Sequence, residues 1–378
     1  MRYDFSKLPL QTLLRPVAEA GTMLARLDER VARSSVGRGW IERAHFTDAC
    51  ASLWVDGELV NLRDLVLHDA GHDARTPTHE LTMARDVLRM RRRIASNPPA
   101  WALSDEGLRS LRGSGAATDE SSLTASEVKG RDAATPEPLA DEAATGEDLP
   151  SADPLDAELS AIDAVLARTS EAIMRAGAAG RRQGTDREPL LYDLDWDEDD
   201  RLEEWRAVVA ETEGLPPVLR AVLALDAWNR LEVLQHAPWL GRLLAGALLR
   251  EAGLTTAAHL ASVNLGLREI PIERRRHPGR NTRLLALLGG LISTAQQGLK
   301  EHDRLVLARQ VMERRLVGRR TSSRMPELVE LAIARPLLSA SMIAEALGVT
   351  THAAIRIVEE LELREMTGRG RFRAWGVS

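Results

Sequence analysis

Cysteine is almost missing from this chain: of 378 residues only Cys50 carries a thiol. No intrachain disulfide can form, and a reducing cytoplasm is the expected compartment. Aromatic residues are also scarce, at 3%. Lysine is nearly absent, with Lys7, Lys129 and Lys300 against a background of arginine. No apolar run reaches the roughly 18 residues that span a bilayer. The first residues, MRYDFSKLPL, lack the basic-then-apolar layout of a signal peptide. A membrane protein, a secreted disulfide scaffold and a transmembrane carrier are therefore not expected. What dominates instead is Ala, Leu and Arg, among the best intrinsic helix formers, so the fold class read from composition is mainly all-α.

The formal net charge of −6 conceals an uneven distribution. From Ser104 to Asp156 there are thirteen acidic and four basic side chains, a balance of −9. From Arg268 to the end there are twenty basic and twelve acidic, a balance of +8. Any polyanion is expected to meet the C-terminal part.

Apolar residues recur at three- and four-residue steps in LQTLLRPVAEAGTMLARLDERV and in HELTMARDVLRMRRRI. Between them FTDACASLWVDGELVNLRDLVLHDAG reads as a helix, a turn at Asp56-Gly57 and a second helix. Asn61 is the expected N-cap of that second helix, with Asp64 in the capping-box position. Residues 1–103 thus form an N-terminal helical region. Residues 104–154 are rich in Gly, Ser, Ala, Pro and acids and lose the apolar period. That composition predicts a disordered acidic linker. Helical periodicity restarts with LDAELSAIDAVLARTSEAIMRA and continues through RLEEWRAVVAET, PPVLRAVLALDAWNRLEVL, WLGRLLAGALLREAGL and RNTRLLALLGGLISTAQQGLKEHDRLVLARQVMERRL. Residues 155–320 are read as the helical core.

Residues 321–378 have a different grammar. MPELVELAIAR is a short helix stopped by Pro336; SASMIAEALGV and TTHAAIRIVEEL are two more, joined tightly at Gly348-Val349. Ala344 is small enough for two helices to cross and Gly348 relieves the turn, as a helix-turn-helix requires. Ile343, Leu347, Val349, Ala354 and Ile357 form the expected apolar seam. REMTGRGRFRAWGV then reads as a short hairpin. The layout resembles a winged helix-turn-helix, which implies DNA as partner. Thr350, Thr351, His352 and Arg356 would face the major groove, and Arg369, Arg371 and Arg373 in the wing would meet phosphate or a minor groove. Such modules generally work as homodimers on paired half-sites. A winged helix also serves as an assembly module without DNA. Glu359, Glu360, Glu362 and Glu365 weigh against very tight backbone binding.

The order of elements resembles that of Fic/DOC-type proteins. ACASLWVDGELVNLRDLVLHDAG is similar to their inhibitory-helix region, with Ser52 and then Asp56-Gly57 where Glu is usual. LPPVLRAVLALDAWNRLEVL resembles the helix entering the Fic loop, and GRLLAGALLREAGL the helix leaving it. The likeness spans about two-thirds of the chain. Laid on the family's His-Pro-Phe-x-Asp-Gly-Asn-Gly-Arg-x-Gly-Arg motif, LEVLQHAPWLGRLL keeps only Gly241 and Arg242. The catalytic histidine position falls on Leu231 and the acidic metal position on Gln235. The anion nest falls on His236, Ala237, Pro238 and Trp239. Leu231 takes no proton, and Pro238 offers no N–H to a phosphate. The resemblance therefore implies a Fic-like bundle without catalytic residues, metal or cofactor, its old site plugged by Trp239, Leu240, Leu243 and Leu244. Pro238 would sit in the first turn of the following helix. The chain also resembles a family of helix-turn-helix proteins found in rhizobia and their relatives.

Three further stretches carry weaker signals. HDAGHD, from His68 to Asp73, is a distorted echo of a zinc motif and is read as a polar helix end. RRRHPGRNTR, from Arg274 to Arg283, is a basic turn that either touches phosphate or is simply solvated. Cys50 is read as core. The expected function is a DNA-binding transcriptional regulator on an inactive scaffold. The alternatives are an assembly scaffold linked to plasmid maintenance or a toxin-antitoxin-like system, and a nucleotidyl (AMP) transferase using a displaced His236.

Overall fold

Amphipathic spacing becomes helix wherever the described part of the chain carries it. The computed structural model describes residues 3, 8–72, 76–113, 196–256, 259–316, 324–366 and 373–377. These all fall within one compact unit, made of residues 1–115 and 192–378. The architecture is mainly all-α. Helix α1 (Leu10–Ala32) buries Leu13, Val17, Ala20, Leu24, Leu27 and Val31, a stripe at alternating four- and three-residue steps. Helix α2 (Gly37–Asp56) stops at Gly57. Helix α3 (Leu62–Asp69) starts at Asn61, whose side chain accepts from the Arg63 N–H at 2.9 Å. Helix α4 (His79–Ser96) is capped by Thr78 on the Leu81 N–H.

The first part of the stretch read as a linker is helical. Helix α5 (Asp105–Gly113) buries Leu108 and Leu111, and the Ser104 hydroxyl accepts from the Gly107 N–H at 3.1 Å. Two leucines three residues apart and one capping serine suffice where the composition suggests none. The rest of residues 104–154, and the periodic segment LDAELSAIDAVLARTSEAIMRA, lie outside the described residues.

The chain resumes with α6 (Glu198–Glu211), where the Asp197 carboxylate accepts from the Asp199 and Asp200 N–H groups at 3.0 Å. Helices α7 (Pro217–Leu231) and α8 (Leu240–Glu251) are buried on nearly every face, as expected at the centre of a domain. Pro238 lies one residue before the N-cap Trp239 of α8 rather than in its first turn. Two short helices, α9 (Val263–Arg268) and α10 (Ile272–Arg275), lead to α11 (Arg280–Leu316). At 37 residues α11 is about 55 Å long and serves as the spine against which α1 and α9 pack. Where α9 crosses it, a Cβ at Gly266 would stand 1.9 Å from the Gly290 carbonyl oxygen. Only glycine lets these backbones touch.

A chain of buried polar groups runs through the centre. Asp48 of α2 pairs with Arg91 of α4, both essentially without solvent contact. The same carboxylate accepts from Asn264 Nδ2 at 2.7 Å and from the Leu265 N–H at 2.9 Å. Asn264 Oδ1 in turn accepts from Arg242 of α8. Arg242 Nη1 donates to Asp56 Oδ1 at 2.9 Å, and its Nη2 donates to the Ser52 hydroxyl at 3.1 Å. Four helices are thus tied by charge-assisted bonds in a low dielectric, where an unpaired member is costly.

Removing one partner of a buried pair costs about 3–5 kcal/mol, because the other charge stays behind. Asp48→Ala is therefore expected to lower stability by about that amount, read as a fall in the urea midpoint. Asp199→Ala, whose exposed carboxylate meets Arg112 at 2.6 Å, is the control, with a change of no more than about 1 kcal/mol.

Candidate nucleic-acid interface

The C-terminal element order is helix, strand, helix, tight turn, helix, strand, strand. Helix α12 (Met325–Ala334) precedes strand β1 (Leu338–Ser339), α13 (Ala340–Leu347), α14 (Thr351–Leu361), β2 (Arg364–Glu365) and β3 (Ala374–Gly376). The sheet order is β1-β3-β2, both pairings antiparallel, with Leu338 opposite Trp375 and Glu365 opposite Trp375. The sequence reading foresaw the hairpin but not β1, because two residues carry no period.

Local chemistry sets each boundary. Ser339 caps α13 through the Met342 N–H at 3.2 Å. Gly348 ends it in the left-handed region, at φ 62, which glycine adopts without strain. Thr350 caps α14 through the Ala353 N–H at 3.2 Å. The seam between the two helices is Met342, Ile343 and Leu347 against Ala354, Val358 and Leu361, all buried. Ala344, Val349 and Ile357, expected there, are partly buried at its margin.

The expected DNA-facing residues fall into three groups. Thr351, His352 and Arg356 are exposed along the first turns of α14. Arg356 is 75% exposed and its one ion pair, with Glu360, is long at 3.8 Å. Thr350 is exposed too, but its hydroxyl is committed to the cap. Arg373 is held at home: it donates to Glu365 at 3.0 Å, faces Glu359 at 3.8 Å and lies 5.2 Å from the Trp375 ring centroid. Arg369 and Arg371 lie outside the described residues. Glu345, Glu359 and Glu360 share the exposed surface, so among the described residues the cation at the start of α14 is Arg356, with Glu360 as its long-range partner.

The helix-turn-helix region rests on the helical body through arginines that grip backbone carbonyls. Arg43 of α2, 5% exposed, donates through Nη1 to the Ala332 oxygen at 3.1 Å and the Arg335 oxygen at 2.6 Å. These oxygens lie at the C-terminal end of α12, where the helix leaves carbonyls without internal partners. Burial pulls the Arg43 guanidinium down to about 10, and Glu301 beside it works in the opposite direction. From α11, Arg304 donates to the Val377 oxygen at 2.7 Å and Arg315 to the Leu361 oxygen at 2.6 Å. Arg335 reaches back to Asp69 at 3.2 Å. At Gly39 a side chain would strike Ile333 at 2.4 Å, so α2 and α12 touch closely. No sequence signal distinguishes Arg43 from the many exposed arginines.

The other flagged stretches resolve as follows. Leu231, Trp239, Leu240, Leu243 and Leu244 are buried. His236 is partly exposed, and its Nδ1 lies 3.1 Å from Glu198 Oε1. Ser52, Asp56 and Arg242, singled out in separate segments, meet at one point. In HDAGHD, His68 is buried, Asp69 binds Arg92 at 2.9 Å, and His72 faces Glu345 at 3.6 Å. Among the described residues no cluster of His, Cys, Asp or Glu is arranged to hold a metal ion. Cys50 is packed against the core, and burial pushes its thiol up to about 12. Among the described residues no helix is long and apolar enough to cross a membrane.

Comparison with known proteins finds two matched segments, both in the second half of the chain. Residues 325–378 match a helix-turn-helix DNA-binding domain, and residues 190–317 match a protein family of unknown function, DUF1612. The chain is a helical protein of that domain pair. It is 59% identical, over the full length of both chains, to the uncharacterized protein y4cF of Sinorhizobium fredii (strain NBRC 101917 / NGR234). The chain belongs to the family of that rhizobial protein.

The carbonyl grip has a direct consequence. Arg43→Ala leaves the Ala332 and Arg335 oxygens without their charged donor, a loss of about 1.5–3 kcal/mol for bonds of this kind. Amide hydrogen exchange is expected to accelerate in residues 325–366 while α7 and α8 keep their protection. Uniform acceleration across the whole chain would refute the idea of a localised grip.

Proposed function

We propose that the protein is a DNA-binding transcriptional regulator that reads the major groove with the start of α14. The observation that carries this reading is the exposed Thr351-His352-Arg356 edge of a capped second helix, in a region matching a helix-turn-helix DNA-binding domain. Helix placement in the groove with its N-terminal residues at base edges is the usual docking of this motif. A homodimer would supply two such helices for paired half-sites, since a module this small gains affinity by doubling. The remaining body is read as a scaffold resembling Fic/DOC proteins that has lost their chemistry. The meeting of Ser52, Asp56 and Arg242 supports the resemblance. Leu231, Pro238 and Trp239, where a base and a phosphate nest would be needed, support the loss.

Two other readings have an observation each. The carboxylates of Glu345, Glu359 and Glu360 beside Arg356 favour an assembly module that meets protein rather than DNA. The His236–Glu198 contact favours a displaced general base, since a carboxylate orients an imidazole for proton transfer. Labelled ATP distinguishes the latter: transfer of label that disappears in His236→Ala would establish it.

The DNA reading is tested by fluorescence anisotropy across a salt titration. Arg356→Ala is expected to weaken binding by about 1–3 kcal/mol if it reaches a base edge. Arg371→Ala, at a position the sequence pattern assigns to phosphate, is expected to make the log–log salt slope shallower by about 1. Absence of salt-dependent binding by the wild-type chain would favour the assembly module.

A further inference from the structure

The basic turn RRRHPGRNTR has no part in the reading above. The structure divides its arginines. Arg283 is spent inside, donating to Asp226 at 2.7 Å and 3.2 Å. Arg280 lies 4.7 Å from the Tyr3 ring centroid. Arg274 and Arg276 are exposed, and neither forms an ion pair among the described residues. Between them, Arg275 donates Nε to the Ile270 oxygen at 3.0 Å and sits 5.9 Å from the ring of Trp54, itself 42% exposed. Positive charge is crowded here: burial first, then Arg242 and Arg276, pull the Arg275 guanidinium below its ordinary value, with Asp56 and Glu273 opposing. Glu273 is the one exposed carboxylate inside the run of three arginines and their helix.

Helix α2 fixes where this patch lies relative to the reading head. Gly39 and Arg43 carry α12, as described above, and Trp54 contacts Arg275. Arg43 and Trp54 are eleven residues apart in sequence. At 3.6 residues per turn that is about three full turns plus 20°, so both project from one face of α2, about 16 Å apart along its axis. The face of α2 that meets α12 is therefore also the face that meets Arg275 beside the basic patch. A duplex advances about 34 Å per turn, so its flanking turn passes within the scale of this separation.

We infer that Arg274 and Arg276 make a second, sequence-independent contact with the phosphates of DNA flanking the segment read by α14. The inference rests on the DNA-binding reading, and its ligand is the duplex backbone. Exposed arginines with no carboxylate partner are suited to this, since each phosphate neutralised releases condensed counterions. A flanking contact also fixes the direction of the duplex across the body, which the reading helix alone does not do.

The test uses the full chain and two labelled mixed-sequence duplexes, of about 12 and 45 base pairs, the shorter spanning little more than one helical turn. Anisotropy is followed over a salt titration for wild type, Arg274→Ala/Arg276→Ala and Arg356→Ala. On the long duplex the double variant is expected to have a log–log salt slope shallower by about 2, one per lost phosphate contact. On the short duplex it should match wild type. Arg356→Ala should weaken binding to both. Thermal melting followed by circular dichroism should leave the double variant unchanged, because both side chains are exposed. Intact wild-type binding with equal slopes for the double variant on the long duplex would overturn the second contact alone. A slope lost equally on both duplexes would overturn its flanking character. Failure of the wild-type chain to bind either duplex would remove the DNA reading and this contact with it.

Discussion

The fold depends on one carboxylate. Asp48 has no solvent contact, yet it receives Arg91, Asn264 and the Leu265 N–H together. Through Asn264 it is joined to Arg242, and through Arg242 to Ser52 and Asp56. Apolar packing among Ala- and Leu-rich helices is non-directional and tolerates many arrangements, because aliphatic side chains of similar volume interchange at small cost. A buried chain of charge-assisted bonds tolerates very few. Its role here is to select one register for α2, α4, α8 and α9, and the orientation of every later element inherits that choice.

Helix α2 carries this constraint outward. One buried face holds Asp48 and Ser52, while the face turned to the C-terminal region holds buried Arg43 and, three turns on, half-exposed Trp54. The same rod that is fixed in the core thus supplies the base on which the helix-turn-helix region sits. Beside side-chain pairs such as Arg335–Asp69, the grip is made by guanidinium groups on main-chain oxygens, and this part of it is insensitive to the identity of the residues gripped. Evolution of the reading surface is then uncoupled from its attachment: substitutions at exposed Thr351, His352 or Arg356 leave Ala332, Arg335, Leu361 and Val377 offering the same carbonyls.

Sequence patterning revealed what depends on local period and lost what depends on distance. The stripe of α1, the Asn61 cap, the Gly348 turn and the exposed start of α14 were legible because each is set by neighbours a few residues away. The nine residues of α5 were missed, since two leucines amid acids and glycines make too weak a period. Strand β1 was missed because its two residues pair only with Trp375 and Ala374, far along the chain. Arg43 looks like any other arginine in a chain crowded with them; only burial distinguishes it. For the same reason Arg373 was placed among DNA-facing cations although Glu365 and Glu359 already occupy it.

The sparse charge of the reading surface has a mechanistic consequence. Affinity for DNA comes chiefly from phosphate contacts, whereas sequence preference comes from base edges. The start of α14 offers hydroxyls, an imidazole and one exposed guanidinium, with carboxylates behind them. That set is suited to discriminating bases and poorly suited to holding a polyanion. A chain that reads DNA with such a surface must find its cations elsewhere. Arg274 and Arg276 beside Trp54 are exposed arginines without ion pairs among the described residues, as is Arg364 of β2. On the proposed reading, recognition and retention fall to different elements, and α2 is the helix that meets both α12 and Arg275.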